Sequence, residues 1–273
     1  MARSRFNSSF LLIPSLGLTG LLASCFGGIG DGEAQGFEKG ADASGIWVGT
    51  IDVDGEAQNI GAVLINAPDG TMYMDTTVGM LVGDAATRGN AFTADADGYS
   101  YQVDFPEGSE FSLNAVVNEQ ASIMGSFAGS ARSGIYQFEY NSRLSTQAAA
   151  VQLIAGTYYG ATGRIRDNTA SITVTIGQFG DLSVDTGGSC TLIGTVEVLD
   201  SPRNLYKWSG VMSGCPINGN AAGIGFGQDG PEGRGFHFVG TVNDGAGGGG
   251  ISFAGFNGPG PSAIGFGAIQ QSP

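Results

Sequence analysis

Apolar residues recur at every second position in one stretch of this chain after another, and that period limits the folds open to it. Tyr99, Tyr101, Val103 and Phe105 alternate with Ser100, Gln102 and Asp104, and Tyr136, Phe138 and Tyr140 alternate with Gln137 and Glu139. Further on, Ile172, Val174 and Ile176 alternate with Thr173 and Thr175, while Tyr206, Trp208 and Met212 share a face opposite Lys207 and Ser209. A period of two belongs to strands with one dry and one wet face, as antiparallel sheets allow. Asp-Gly pairs at 54, 69, 97, 229 and 244 supply the positive φ angles of tight turns, and Asp95-Ala96-Asp97-Gly98 is expected to be a hairpin tip. None of these pairs sits in the D-x-[DN]-x-[DN]-G pattern of a calcium loop. With 49 glycines, 13% charged and 41% hydrophobic residues, the composition suits many short strands and excludes general disorder.

The pattern occurs twice. Ser44-Gly45-Ile46-Trp47-Val48-Gly49 has a counterpart 111 positions later in Ala155-Gly156-Thr157-Tyr158-Tyr159-Gly160. Asp69-Gly70 before Thr71–Asp75 matches Phe179-Gly180 before Asp181–Asp185, and Gly83 falls on Gly194. The expected fold is all-β: two tandem antiparallel barrel or sandwich modules, residues 44–143 and 155–269, with Ile264–Ile269 as a last strand. Leu144–Ile154 (LSTQAAAVQLI), Ala-rich and stopped by Gly156, is expected to be one short connector helix over residues 144–154. Seven or eight strands per module could close on themselves and leave no free edge.

The first forty residues read as an address. Arg3 and Arg5 precede an apolar run, Phe10–Leu22, that is broken by Pro14, Gly17 and Gly20 and is too short to span a bilayer. Leu22-Ala23-Ser24-Cys25 then resembles the lipobox of bacterial lipoproteins. That resemblance implies a signal peptide over 1–24, lipidation of Cys25 with palmitate-like chains, and stable anchoring through several chains. Phe26, rather than Asp, after the cysteine points to the outer membrane, with the protein periplasmic or surface-exposed. Residues 25–43 have the Gly-rich composition of a flexible tether, with a reach of about 20–25 Å.

With Cys25 given to lipid, Cys190 and Cys215 remain as an even pair in an oxidising compartment and are expected to form a disulfide. Loss of Arg3 and Arg5 takes the net charge from -14 to -16, and Lys39 and Lys207 are the only lysines, so nucleic acid is not an expected partner. In layout the two modules are similar to the lipocalin-like and avidin-like barrels of bacterial surface lipoproteins such as transferrin-binding protein B. Gly45-x-Trp47 resembles the opening of many lipocalin-like chains. The resemblance implies barrels and assigns no binding residue.

Catalytic patterns are not visible. His237, the only histidine, lies between Phe236 and Phe238 and is expected to point outward from its strand as an exposed residue, without a triad. No spacing selects a pair among the 25 acids for glycoside hydrolysis. Asn243–Gly250 lacks the Lys-Ser/Thr ending of a phosphate loop. Ser133-Gly134-Ile135-Tyr136 misses by one residue the Ser-Gly-x-x-Tyr motif of lipoprotein lysozyme inhibitors. Two thiols and one imidazole are too few for a zinc site, and no metal or cofactor is expected.

The chain is therefore expected to be a non-enzymatic envelope lipoprotein that serves as an interaction or structural module, bound to the membrane through its lipid. The alternative is a barrel that binds a small hydrophobic or aromatic ligand among Trp47, Tyr158, Tyr206 and Trp208.

Overall fold

The computed structural model describes residues 40–54, 59–101, 108–130, 132–165, 168–229, 233–245 and 248–258. The expected signal peptide, Cys25, most of the expected tether and the strand expected at Ile264–Ile269 lie outside them.

Two closed eight-stranded antiparallel barrels account for almost all of the described chain. The first is built from β1 (Gly45–Val53), β2 (Ile60–Asn66), β3 (Thr71–Thr76), β4 (Gly79–Arg88), β5 (Ala91–Ser100), β6 (Ser109–Asn118), β7 (Ser122–Gly129) and β8 (Ser133–Tyr140), with β8 returning to β1. The second runs through β9 (Gly156–Ile165), β10 (Asn168–Ile176), β11 (Asp181–Asp185), β12 (Thr191–Asp200), β13 (Leu205–Ser213), β14 (Gly219–Gln228), β15 (Arg234–Asn243) and β16 (Gly249–Asn257). Here β16 returns to β9 and closes the barrel.

The two copies agree in detail. Trp47 donates its Nε1–H to the Ala43 carbonyl at 2.9 Å, and Tyr158 donates its hydroxyl to the Ile154 carbonyl at 2.8 Å. In each barrel the aromatic residue of the first strand thus plugs one end and ties down the segment that enters it. The β2–β3 and β10–β11 turns also coincide. Gly70 and Gly180 hold φ of +94° and +95°, a region that favours glycine, and each offers its carbonyl at 2.7 Å to the next strand but one, at Ala85 and Val196. A Cβ on Gly83 would collide with the Asp95 carbonyl oxygen, and one on Gly194 with that of Ser209. Two strands therefore approach closely at matching points of the two barrels.

The connector is not one helix. It forms two single turns, α1 (Ser142–Ser145) and α2 (Val151–Ile154), separated by extended chain. Tertiary hydrogen bonds take the backbone in between: Ala149 N–H donates to the Ser201 carbonyl at 2.9 Å, and Ala150 N–H donates to the Tyr206 hydroxyl at 3.0 Å. Ala150 is accordingly extended, and helix propensity yields to these contacts. Asp95-Ala96-Asp97-Gly98 likewise lies within β5 rather than at a hairpin tip, with Asp95 and Asp97 outward and Ala96 inward. Of the other Asp-Gly pairs with both residues described, Asp69-Gly70 and Asp244-Gly245 lie in turns.

Each barrel has its own filled core, one around Trp47, Leu64, Phe92 and Phe138 and the other around Tyr158, Trp208, Phe238 and Phe253. A third apolar cluster lies between the barrels and joins Ile46, Val63, Ile65, Tyr73 and Met80 to Leu205, Ile224, Phe226 and Val239. Strands at this seam are buried on both faces, so β2, β3, β14, β15 and β16 lose the alternation that marks the solvent-facing strands. A 3-10 turn, Ser201–Arg203, leads from β12 to β13. From it, Arg203 bridges to Asp42 at 2.6 Å and to Asp200 at 2.8 Å. Partial burial tends to raise the Asp42 pKa, but hydrogen bonds from Ser44 and Arg203 outweigh it and hold the carboxyl below its usual value.

Candidate functional site

The seam also contains a buried polar cluster. In β3, Met72 and Met74 point into the first barrel, which turns Tyr73 and Asp75 outward. In β15, Phe236 and Phe238 point into the second barrel and His237 outward, and in β16 Ser252 is outward between Ile251 and Phe253. Packing the barrels side by side brings these outward residues together. Asp75 Oδ2 lies 2.8 Å from His237 Nε2 and accepts the Ser252 hydroxyl at 2.8 Å. Its Oδ1 accepts the Tyr101 hydroxyl at 2.9 Å. The Phe226 ring stacks on the imidazole at 5.5 Å between centroids, and Arg164 of the second barrel reaches the Thr76 carbonyl of the first at 3.4 Å.

His237 does leave its own barrel, as its place in β15 requires, yet it is 0% exposed because the other barrel covers it, and Asp75 is also 0% exposed. The residue types are those of a hydrolytic triad, but the arrangement is different. Ser252 donates to the carboxylate and not to the imidazole, so the Ser–His contact on which a hydrolytic triad depends is not made. Burial, followed by the negative charge of Asp75 and the hydrogen bond to it, raises the Tyr101 pKa well above its ordinary value. The phenol therefore stays protonated and serves as a donor. What this arrangement does is bind two barrels through one carboxylate with three partners.

The four aromatic residues considered as ligand contacts are not brought together. Trp47 lies in the first core, whereas Tyr158, Tyr206 and Trp208 lie in the second. All are buried and their polar tips are met by main chain: Trp208 Nε1–H donates to the Val239 carbonyl at 3.0 Å, and the Tyr206 hydroxyl donates to the Ala150 carbonyl at 3.1 Å. Burial pushes the Tyr158 and Tyr206 pKa values up to about 12.

Cys190 and Cys215 form a disulfide at the far end of the second barrel. Beneath it is an apolar cavity of about 60 Å³, bordered by Ile172, Leu192, Met212 and Phe253. Two larger depressions are open and polar. One, of about 430 Å³, lies beside Asp42 and Asn66, and the other, of about 560 Å³, is a groove along Asp84, Asp95, Asp97 and Glu110 on the outer face of β4, β5 and β6. Among the described residues no group of three or more His, Cys, Asp or Glu side chains is placed to hold a metal ion. Nor is any helix among them long and apolar enough to cross a membrane.

Asp75, Ser252 and Tyr101 were not visible as a set in the sequence. The available signal was lost alternation in Val63-Leu64-Ile65 and Phe236-His237-Phe238-Val239, which marks strands covered on both faces.

No family model matches the chain, and no curated protein is detectably similar to it. Among solved structures it is similar to a DUF3598-family protein of unknown function from Nostoc punctiforme PCC 73102. That match has 12% identity over 79% of this chain and 96% of the other, with a TM-score of 0.29. It is also similar to a proposed outer membrane protein from Bacteroides fragilis NCTC 9343, at 14% identity over 78% of this chain and 97% of the other, with a TM-score of 0.26.

Proposed function

We propose that the protein is a lipid-anchored module of the bacterial cell envelope, held by Cys25 at the outer membrane, that acts by presenting surfaces rather than by catalysis. One observation carries the non-catalytic part: the chain's single histidine is sealed between two filled barrels, in a cluster whose serine is bonded to the carboxylate. A substrate could reach that cluster only by separating the barrels. The anchor itself is supported by the Leu22-Ala23-Ser24-Cys25 motif behind a basic start and an apolar run.

Metabolic labelling with palmitate is expected to mark the wild-type protein and not Cys25→Ala; equal labelling would remove the anchor. Native mass spectrometry of protein released gently from its own membrane is expected to show an envelope protein bound to it. A second reading, binding of a small apolar molecule, is favoured by the cavity under the disulfide. At about 60 Å³ it lies well below the roughly 300 Å³ at which ordinary ligand pockets begin, and a co-purifying small molecule in the same spectra would move the function there.

A further inference from the structure

Phe179 is 94% exposed, and nothing in the fold accounts for it. It stands at the tip of the β10–β11 turn, where the equivalent turn of the first barrel has Asp69. Asp69 accepts the Thr71 N–H at 3.0 Å, an ordinary turn-stabilising bond. A phenyl ring there makes no such bond and buries no surface. The turn is nonetheless well held, since Gly180 N–H donates to the Gly177 carbonyl at 3.0 Å and Gln152 Nε2 to the Gln178 carbonyl at 3.2 Å. Tyr159, 81% exposed on the outer face of β9, pairs in register with Thr173, four residues before the turn begins at Gly177. Along a tilted strand that sets it roughly 10 Å behind the tip.

The tip lies at the end of the molecule where the chain enters. Successive hairpins of a meander alternate between barrel ends, so the β10–β11 turn shares its end with the β12–β13 connection, which contains Arg203. Arg203 is bridged to Asp42, in the segment that enters the first barrel, and Ala41 N–H donates to the Gly89 carbonyl in the β4–β5 turn at that same end. Only fourteen residues separate Cys25 from Gly40. The acidic groove, by contrast, runs along the flank of the first barrel toward the opposite end.

We infer that this entry end faces the bilayer, with Phe179 inserted into the lipid surface and Tyr159 at headgroup level, so that the tethered protein has a fixed orientation. The inference rests on the reading of Cys25 as the lipid anchor. A phenyl at the tip with a tyrosine behind it is the order of aromatic residues that a membrane interface favours, and lipid already bound through the anchor offers it a high local concentration.

The test uses full-length lipidated protein in phosphatidylethanolamine/phosphatidylglycerol vesicles with brominated acyl chains. Phe179→Trp adds a reporter to the buried Trp47 and Trp208 without touching the core, and Val211→Trp places the same reporter near the opposite end of the second barrel. Emission from Phe179→Trp, corrected for wild type, is expected to fall at least twofold relative to unbrominated vesicles, while Val211→Trp stays unchanged. An unquenched Phe179→Trp in protein that is palmitate-labelled and floats with the vesicles overturns the orientation and leaves the anchor standing. If labelling fails, the anchor reading falls, and the same variant mixed with excess vesicles decides: quenching retains the tip as a membrane contact, and its absence removes it. A photocrosslinker at 179 that captures a protein in intact cells instead of lipid also overturns the inference.

Discussion

Asp75 of the first barrel and His237 of the second meet at 2.8 Å, with neither side chain exposed to solvent. Buried pairs of this kind are costly to break from one side, because the remaining groups stay dry and unpaired. Asp75→Leu removes the acceptor shared by the Tyr101 and Ser252 hydroxyls and the partner of the imidazole Nε2. It is expected to lower stability by about 3–5 kcal/mol in urea denaturation. Tyr101→Phe, which removes one donor to the carboxylate, is expected to cost about 1.5–3 kcal/mol. A loss below 1 kcal/mol for Asp75→Leu would mean that the apolar seam alone holds the barrels.

The disulfide closes a loop of 25 residues in the second barrel. On the chain-entropy estimate its removal costs about 3.5 kcal/mol. Cys190→Ala with Cys215→Ala is expected to lower the urea midpoint accordingly, and reducing agent is expected to shift the wild type to the same value. A midpoint insensitive to reducing agent would show that the bond is absent.

Trp47 and Tyr158 end the two cores in the same way, and their effects are expected to add. Tyr158→Phe loses one buried hydroxyl bond, worth about 1 kcal/mol. Trp47→Ala leaves a cavity and costs about 3–5 kcal/mol. Because the two residues lie in separate cores, the double variant is expected to match the sum within about 0.5 kcal/mol. A larger discrepancy would show coupling through the seam.

Gly83→Ala and Gly194→Ala each drive a methyl group into a neighbouring carbonyl oxygen. Each is expected to cost about 1–3 kcal/mol through displaced backbone. Thermal unfolding followed by circular dichroism measures this, and two neutral substitutions would show that the close approach can relax.

Alkaline pH is expected to destabilise the protein. Burial pushes Tyr73, Tyr158 and Tyr206 up to about 12 from an ordinary 10. Between those values the unfolded chain releases protons that the folded chain retains, so stability is complete below pH 10 and falls as pH rises toward 12. Tyrosinate absorbance at these three residues is expected to rise together with loss of the circular dichroism signal; a rise well before unfolding would contradict the burial.

Much of each barrel could be read from residues that see only their own sheet. Ile172, Val174 and Ile176, or Tyr206, Trp208 and Met212, alternate because one face meets the core and the other meets water. The matching of Gly83 with Gly194 reflects the same close approach of strands in both copies. What could not be read depends on a partner distant in sequence. His237 was correctly placed outside its barrel, but its burial comes from strands more than 150 residues away. The connector read as a helix because Ala149 and Ala150 favour one, and the hydroxyl and carbonyl that capture them belong to the second barrel. Asp97-Gly98 carried a turn signal that the β4–β5–β6 ladder overrides.

The seam also has a consequence for the order of events during synthesis. The first barrel is complete in sequence at Tyr140, before any of the second has emerged, and its outer stripe of Ile46, Val63, Ile65 and Tyr73 then has nothing to lie against. Until β14–β16, the last strands of the described chain, arrive, this half-made molecule offers other proteins a greasy stripe containing a carboxylate that still lacks its His237 and Ser252 partners. Synthesis of the final strands both completes the second barrel and covers the first, so a chain cut short near residue 200 would leave a finished barrel that is prone to aggregate.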